Sequence, residues 1–322
     1  MSSGSKLLWM VLGAAAVLVL LCGGCGVLLA IAASSLGGAN LTTNTASSPS
    51  VGIVYVDGVI VSGKPADSLF SDQGIAYSGT VIKHLKQAES DPNIKAVVLR
   101  VNSPGGSVVG SQEIHQQVEA MRKPVVVSMG ELAASGGYYV AAPADEIYAN
   151  AATLTGSIGV ISQFIEISQL LKEYGVEVTT IKSGDFKDEG SLFRPMSEEE
   201  KALWKDVVDE AYQGFVQVVA DGRKEKLSES KVRQLADGRV YTGKQAKDLG
   251  LVDQLGNLPD AIQRAAELGG IVGEPGVLEY REPRSWLESM LGLFRPVDPL
   301  AKIATLLNQP YGTALQYLYL GR

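Results

Sequence analysis

The sequence predicts an α/β fold with a mostly parallel sheet and flanking helices, preceded by one N-terminal transmembrane helix. Three observations carry that expectation. From Val51 onward, short apolar runs with strand character alternate with helical stretches. One run, Ile-Lys-Ala-Val-Val-Leu-Arg-Val over Ile94–Val101, is nearly continuous in apolar content, which suits a strand buried on both faces. Leu7–Ala33 holds 27 residues without a charge, more than the ~20 needed to cross a bilayer.

Taken in order, residues 1–33 form a short cytoplasmic N-terminus and an anchor. A secretory signal has an apolar region of roughly 7–15 residues, so this longer run reads as uncleaved, although Ala30-Ile31-Ala32 resembles a small-residue cleavage site. Lys6 and the free N-terminus are the positive charges beside it, and no charge recurs before Asp57. That bias keeps the N-terminus in the cytoplasm and places everything after Ala33 on the far side of the cell membrane. Residues 34–50 are small, polar and uncharged, the composition of a flexible tether.

The globular domain is expected over 51–270. Strands are expected at Gly52–Val61, Ile94–Val101, Pro124–Met129, Glu146–Tyr148 and Val176–Ile181, and helices at Gly79–Glu89, Ser111–Arg122 and Ile165–Tyr174. Ser197–Gly222 carries the clearest helical pattern. Ser197 and Glu200 form a capping box, and Leu203, Val207, Ala211, Phe215 and Val218 line one face, as in a packed core helix. After Gly269 the pattern frays, and the tail, residues 271–322, has no assigned role.

Composition removes several function classes. Cys22 and Cys25 both lie in the anchor, so the globular part has no disulfide, no thiol nucleophile and no Cys/His metal cluster. A net charge of −7 argues against a nucleic-acid partner.

Two turns are candidates for chemistry. Asn102-Ser-Pro-Gly-Gly106 follows directly on the Ile94–Val101 strand, at the carboxyl edge where open α/β sheets place ligands. About thirty residues on, after a second strand, Ala133-Ala-Ser-Gly-Gly137 reads as a tight turn that sets the Ser135 hydroxyl at a helix N-terminus. Read alone, the first is an ordinary turn, and the second fits small-residue helix packing equally well. A serine nucleophile also needs a base, and the chain has two histidines, His84 and His115, with none after 115.

In this order, Asn102-Ser-Pro-Gly-Gly106, Ala134-Ser-Gly-Gly-Tyr-Tyr139, Thr153-Leu-Thr-Gly-Ser-Ile-Gly-Val160, Ile181-Lys-Ser-Gly-Asp-Phe-Lys-Asp188 and Gly238-Arg-Val-Tyr-Thr-Gly-Lys-Gln-Ala246 with Gly250-Leu-Val-Asp253 resemble the signal peptide peptidase A (SppA) family of serine proteases. The resemblance runs from about Val51 to Leu268 and matches the short, single-domain form. It implies a ClpP/crotonase-like fold and a Ser–Lys dyad. Ser135 then matches the nucleophile and Lys187 the general base. Gly106 and Gly136 match the oxyanion-hole donors, and Ser157 matches a serine that orients the lysine. It implies no metal or organic cofactor. The implied substrates are apolar signal-peptide remnants in the membrane, and the implied assembly is a homo-oligomeric ring in which neighbouring subunits share active sites.

A lysine base must be neutral to accept a proton. Ordinary lysine titrates near ~10.4, so burial away from water is required. Asp185, Asp188 and Glu189 flank Lys187 and would favour the charged amine unless they point away. Lys182 ends the expected Val176–Ile181 strand and matches no catalytic position, and His115 reads as a solvated helix-face residue. A ClpP-type triad would need a histidine about twenty-five residues after the nucleophile, and Phe164–Tyr174 contains none. Three alternatives stand beside the main reading. They are a related membrane Ser–Lys protease with one membrane-protein partner, a non-catalytic peptide-binding scaffold of the same fold, and an enzyme handling enoyl-CoA, which an extracytoplasmic site disfavours.

Overall fold

The computed structural model describes residues 46, 48–65, 74–281 and 316–318. The expected membrane segment Leu7–Ala33 lies outside them, as does nearly all of the tether. Among the described residues no helix is long and apolar enough to cross a membrane.

The elements follow the alternation of the sequence. They are β1 Ser50–Asp57, β2 Val59–Val61, β3 Ile75–Tyr77, α1 Ser78–Ser90, β4 Ile94–Ser103, β5 Gly105–Ser107, α2 Val108–Glu119, β6 Val125–Ala134, α3 Gly136–Ala141, β7 Glu146–Ala149, β8 Leu154–Gly156 and α4 Ser168–Glu173. A 3-10 turn at Asp185–Asp188 precedes α5 Glu198–Gly222, α6 Glu229–Leu235, β9 Val240–Thr242, α7 Gly243–Asp248, β10 Gln254–Leu255, α8 Leu258–Leu268, β11 Gly276–Tyr280 and β12 Gln316–Leu318. The main sheet has the order β10-β7-β6-β4-β1-β11, and every pair along it is parallel. A smaller sheet, β12-β5-β2-β3, lies over the carboxyl end.

The pleat sorts the strand residues into two cores. Val97, Leu99 and Val101 of β4, with Val125, Val127 and Met129 of β6, face a large cluster that includes residues of α1, α2, α3 and α5. Ala96, Val98 and Val126 face the other way, onto Ala261, Ala265 and Ala266 of α8. Gly58, at φ 88°, ends β1 and starts β2, so the single strand expected over Gly52–Val61 becomes two. β8 was not expected. It is fastened to β6 by Thr153 and Thr155, whose hydroxyls donate to the carbonyls of Gly130 (2.6 Å) and Ala133 (2.7 Å).

Two expectations need correction. Val176–Ile181 is not a strand but irregular chain, with Ile181 95% exposed, and among the described residues no strand pairs with it. The helix expected at Ile165–Tyr174 shortens to α4 and buries no residue. α5 does start at the Ser197–Glu200 capping box, but only its second half packs in the core, through Phe215, Val216, Val219 and Ala220. Leu203 and Val207 are exposed.

The distal end of α5 is fixed by a buried ion pair. Asp253 accepts bonds from Arg223 (2.9 and 2.5 Å) and from the Ile147 N–H (2.8 Å), and it also pairs with Lys226. Asp253→Ala would strand the buried Arg223 guanidinium without its charge partner. The expected cost is about 3–5 kcal/mol, read as a lower urea midpoint at unchanged m-value. Combining Arg223→Met with Asp253→Leu, which removes both charges, should recover much of it.

Candidate active site

The carboxyl ends of β4 and β6 carry the two predicted turns. The β4–β6 register slips between Val101 and Ser103, so Ser103 comes opposite Ala133 and the glycine turn is carried toward the end of β6. Gly105 and Gly106 have φ of 98° and 152°, a region closed to most side chains. A Cβ on Gly106 would collide with the Ile60 carbonyl, and one on Gly105 would lie 2.6 Å from the Gly136 nitrogen. The Pro-Gly-Gly turn therefore rests against the first residue of α3. A Cβ on Gly136 would in turn lie 2.6 Å from the Ser111 hydroxyl, so both backbones approach closely because no side chains intervene.

Ser135 sits between β6 and α3 with φ 53° and ψ −118°, strained for any residue with a Cβ. The turn is held by its N–H, which donates to Gly156 O at 2.7 Å, and by its carbonyl, which accepts from Tyr139 N–H at 2.9 Å. Its side chain is buried, and its hydroxyl has no hydrogen-bond partner among the described residues. Strain plus an unspent buried hydroxyl is the pattern of a residue kept for chemistry rather than stability.

Ser157 is its neighbour. β8 runs parallel to β6 with Ala134 opposite Gly156, so the next residues, Ser135 and Ser157, leave the two strands side by side. Ser157 has φ 49°, and its N–H is fixed to Arg239 O at 2.8 Å. Among the described residues, Ser135 and Ser157 are the two non-glycine positions with positive φ. The structure thus brings Ser135, Ser157, Gly106 and Gly136 to one edge.

Lys187 is not among them. It lies in the 3-10 turn Asp185–Asp188 with its side chain exposed, and it makes no hydrogen bond to Ser135. Its acidic neighbour Asp188 is already occupied. Asp188 accepts from Arg194 (2.7 Å) and Lys182 (2.8 Å), and these cations hold its carboxyl well below the ordinary range. Arg194 also binds Glu200 at the start of α5 (2.9 Å), holding that carboxyl down at about 2. This clip fastens the Lys187 turn to α5, and it disposes of both Asp188 and the rival Lys182, a network that sequence reasoning missed. The cue was an arginine six residues after Asp188 and six before Glu200.

Both clip carboxylates have depressed folded values, so their contribution is present at neutral pH and is lost as pH falls through those values. Protection from hydrogen exchange over 185–194 is expected to hold down to about pH 4.5 and to decline toward about pH 2. Arg194→Ala should show the unprotected pattern already at pH 7.

His115 also departs from expectation. It is half-buried, its ring edge-on to Tyr139 at 5.2 Å, and desolvation lowers its pKa below the ordinary imidazole value. Among the described residues no group of His, Cys, Asp and Glu could hold a metal ion.

Comparison with known proteins gives the family of the chain. Residues 117–271 match the profile described as peptidase family S49. A putative protease from Methanocaldococcus jannaschii is 43% identical over 66% of this chain and 67% of its own length. A putative signal peptide peptidase SppA from Enterococcus faecium is 38% identical over 75% of this chain and 71% of its own. The chain spans less than half of two longer relatives, 46% and 44% of their lengths. A solved ClpP1 mutant from Listeria monocytogenes aligns at TM-score 0.42 and 18% identity, over 65% of this chain and 94% of that one, a likeness too weak to bear on function. With identity of this order across two thirds or more of two relatives, the chain belongs to peptidase family S49.

Proposed function

We propose that this S49 peptidase is a membrane-anchored serine endopeptidase that degrades signal-peptide remnants through a Ser135–Lys187 dyad. The observation that carries the reading is the strained, buried Ser135, whose hydroxyl has no partner among the described residues, beside the Gly105-Gly106 turn. In the proposed reaction Lys187, as neutral amine, takes the hydroxyl proton while Ser135 Oγ bonds to the scissile carbonyl carbon. The oxyanion accepts bonds from the Gly106 and Gly136 N–H groups. Collapse breaks the C–N bond, the proton passes from Lys187 to the departing amine, and an acyl-enzyme remains. Water attacks the ester with Lys187 again as base, which frees the second product. Ser157 orients the amine.

The base is assigned to a neighbouring copy. Lys187 is exposed and makes no hydrogen bond to Ser135 within one chain, while the segment that carries it and the elements on either side leave apolar side chains uncovered: Ile165, Tyr174, Ile181 and Phe186, with Leu203 on α5. Docking a second copy there would cover that surface and remove water from the lysine. A ring closes such a head-to-tail contact. The anchor Leu7–Ala33 would hold the sites on the extracytoplasmic side, near apolar peptides left in the bilayer.

The test uses the full chain reconstituted in liposomes, given a signal-peptide remnant or a polar peptide of equal length. Preferential loss of the remnant is expected. Equal turnover of both would reject the substrate assignment, and selective cleavage of one membrane protein would favour the single-partner alternative.

A further inference from the structure

The run Gly238-Arg-Val-Tyr-Thr-Gly-Lys-Gln-Ala246 has no part in the reaction as proposed, yet the fold packs it against Ser157. β9 runs antiparallel to β8, with Thr155 opposite Tyr241 and Gly156 opposite Val240. The pairing continues past the ends of both strands. The Arg239 carbonyl accepts from Ser157 N–H at 2.8 Å, and Gly238 N–H donates to the Ile158 carbonyl at 3.1 Å. Asp237 steadies this loop by accepting from the Arg239 N–H (3.2 Å) and from its Nε (2.8 Å).

The peptide unit between Gly156 and Ser157 is therefore bonded on both sides. Its carbonyl accepts from Ser135 N–H at 2.7 Å, and its N–H is the one that donates to Arg239. A single plane links the nucleophile turn to the 237–241 loop. Tyr241 lies against this plane. Gly156 has φ 79°, and a Cβ there would lie 2.6 Å from Tyr241 Cδ2, so the ring edge rests on bare glycine backbone. Tyr241 is buried, and its phenol donates to the carbonyl of Leu235, the last residue of α6, at 3.1 Å. A carbonyl at a helix end has no acceptor role within its own helix, so this bond pins the ring to α6. Ser157 itself is held at φ 49°, a conformation that costs energy and persists only where its surroundings enforce it.

We infer that Tyr241 is a positioning residue: its ring fixes the Gly156–Ser157 peptide plane, and through it the direction in which Ser157 offers its hydroxyl to the Lys187 amine. The inference rests on the proposed reading of Ser135, Lys187 and Ser157. It gives a task to a motif whose tyrosine otherwise reads as core packing.

The test compares Tyr241→Leu, which removes the ring, with Tyr241→Phe, which removes only the bond to Leu235. Each is made in the full chain, with and without Ser157→Ala. Tyr241→Leu is expected to lower kcat about tenfold or more and to leave KM within about twofold, because the amine is misaligned while substrate contacts remain. Tyr241→Phe should stay within about threefold of the parent. In the Ser157→Ala background Tyr241→Leu should cost less than about twofold, since the group it positions is already gone. Amide exchange supplies a readout that needs no activity. Exchange at Ser157 N–H should quicken at least about tenfold in Tyr241→Leu, while Val97 N–H, bonded to the Pro124 carbonyl in the core, keeps its rate. An equal loss of rate with and without Ser157 would overturn the inference. So would faster exchange at Val97 as well, since Tyr241 would then serve only to fill the core. If Ser157 exchange responds as expected and the parent hydrolyses nothing, the clamp stands and the proposed reaction falls. If Ser135-dependent hydrolysis is untouched by Tyr241→Leu, the reaction stands and the clamp's part in it falls.

Discussion

Ser135→Ala is expected to lower peptide hydrolysis by about a thousandfold or more while making the protein more stable than its parent. The loss follows from removing the atom that bonds to the substrate, as for other nucleophilic serines. The gain has a separate cause. Ser135 Oγ is buried with no partner among the described residues, and removing such a group recovers about 1–3 kcal/mol of unmet desolvation. Alanine keeps a Cβ, and so keeps the strain of φ 53° and ψ −118°. Ser135→Gly releases that strain, worth about 1–3 kcal/mol, against a glycine entropy cost of about 0.5–1 kcal/mol. Glycine should therefore be the more stable of two inactive variants. Thermal unfolding of parent, Ala and Gly forms checks the order. A Ser135→Ala chain that is less stable than its parent would mean that the hydroxyl holds the turn together, and would remove the strongest physical argument for a nucleophile there.

Much of this site was legible in sequence because tight backbone approach leaves a mark. A turn that presses Gly105 against Gly136 tolerates no Cβ, so the glycines had to appear around Ser135. The run Ile94–Val101 was legible because both faces of β4 are covered, one by the α1–α3 side and one by α8. What periodicity cannot say is which surface covers an apolar face. Val176–Ile181 and the start of α5 carry strand and helix patterns, yet Ile181 and Leu203 face solvent in the single chain. Such spacing points to a core because burial is the usual reason for the pattern. β8 failed for the opposite reason: three residues held by threonine hydroxyls show no alternation to read. The charges around Lys187 misled in a third way. A carboxylate beside a lysine in sequence says nothing of the arginine that neutralises it, and Arg194 does so for Asp188.

Those uncovered faces make the second large effect testable without any knowledge of the natural substrate. Lys187→Ala alone is expected to cost about 10²–10⁴ in rate, the range for loss of a general base. Ser135→Ala alone should be equally silent. If each site takes its serine from one chain and its lysine from the next, mixing the two inactive chains restores some sites. A site works when a chain keeping Ser135 sits beside one keeping Lys187 on the correct side. Random mixing in equal amounts satisfies both conditions about one time in four, so about a quarter of parental activity should return. Recovery should require subunit exchange, appearing after co-refolding or dilution and failing when preformed assemblies are mixed cold. Adding Ile181→Asp to both chains should abolish it by placing charge on the surface that a second copy would cover. A dyad closed within one chain predicts no recovery under any mixing protocol. In that case the turn at Asp185–Asp188 would have to travel to Ser135 by itself. Breaking the Arg194 clip should then raise activity, whereas a dyad that depends on a held turn predicts that the same change lowers it.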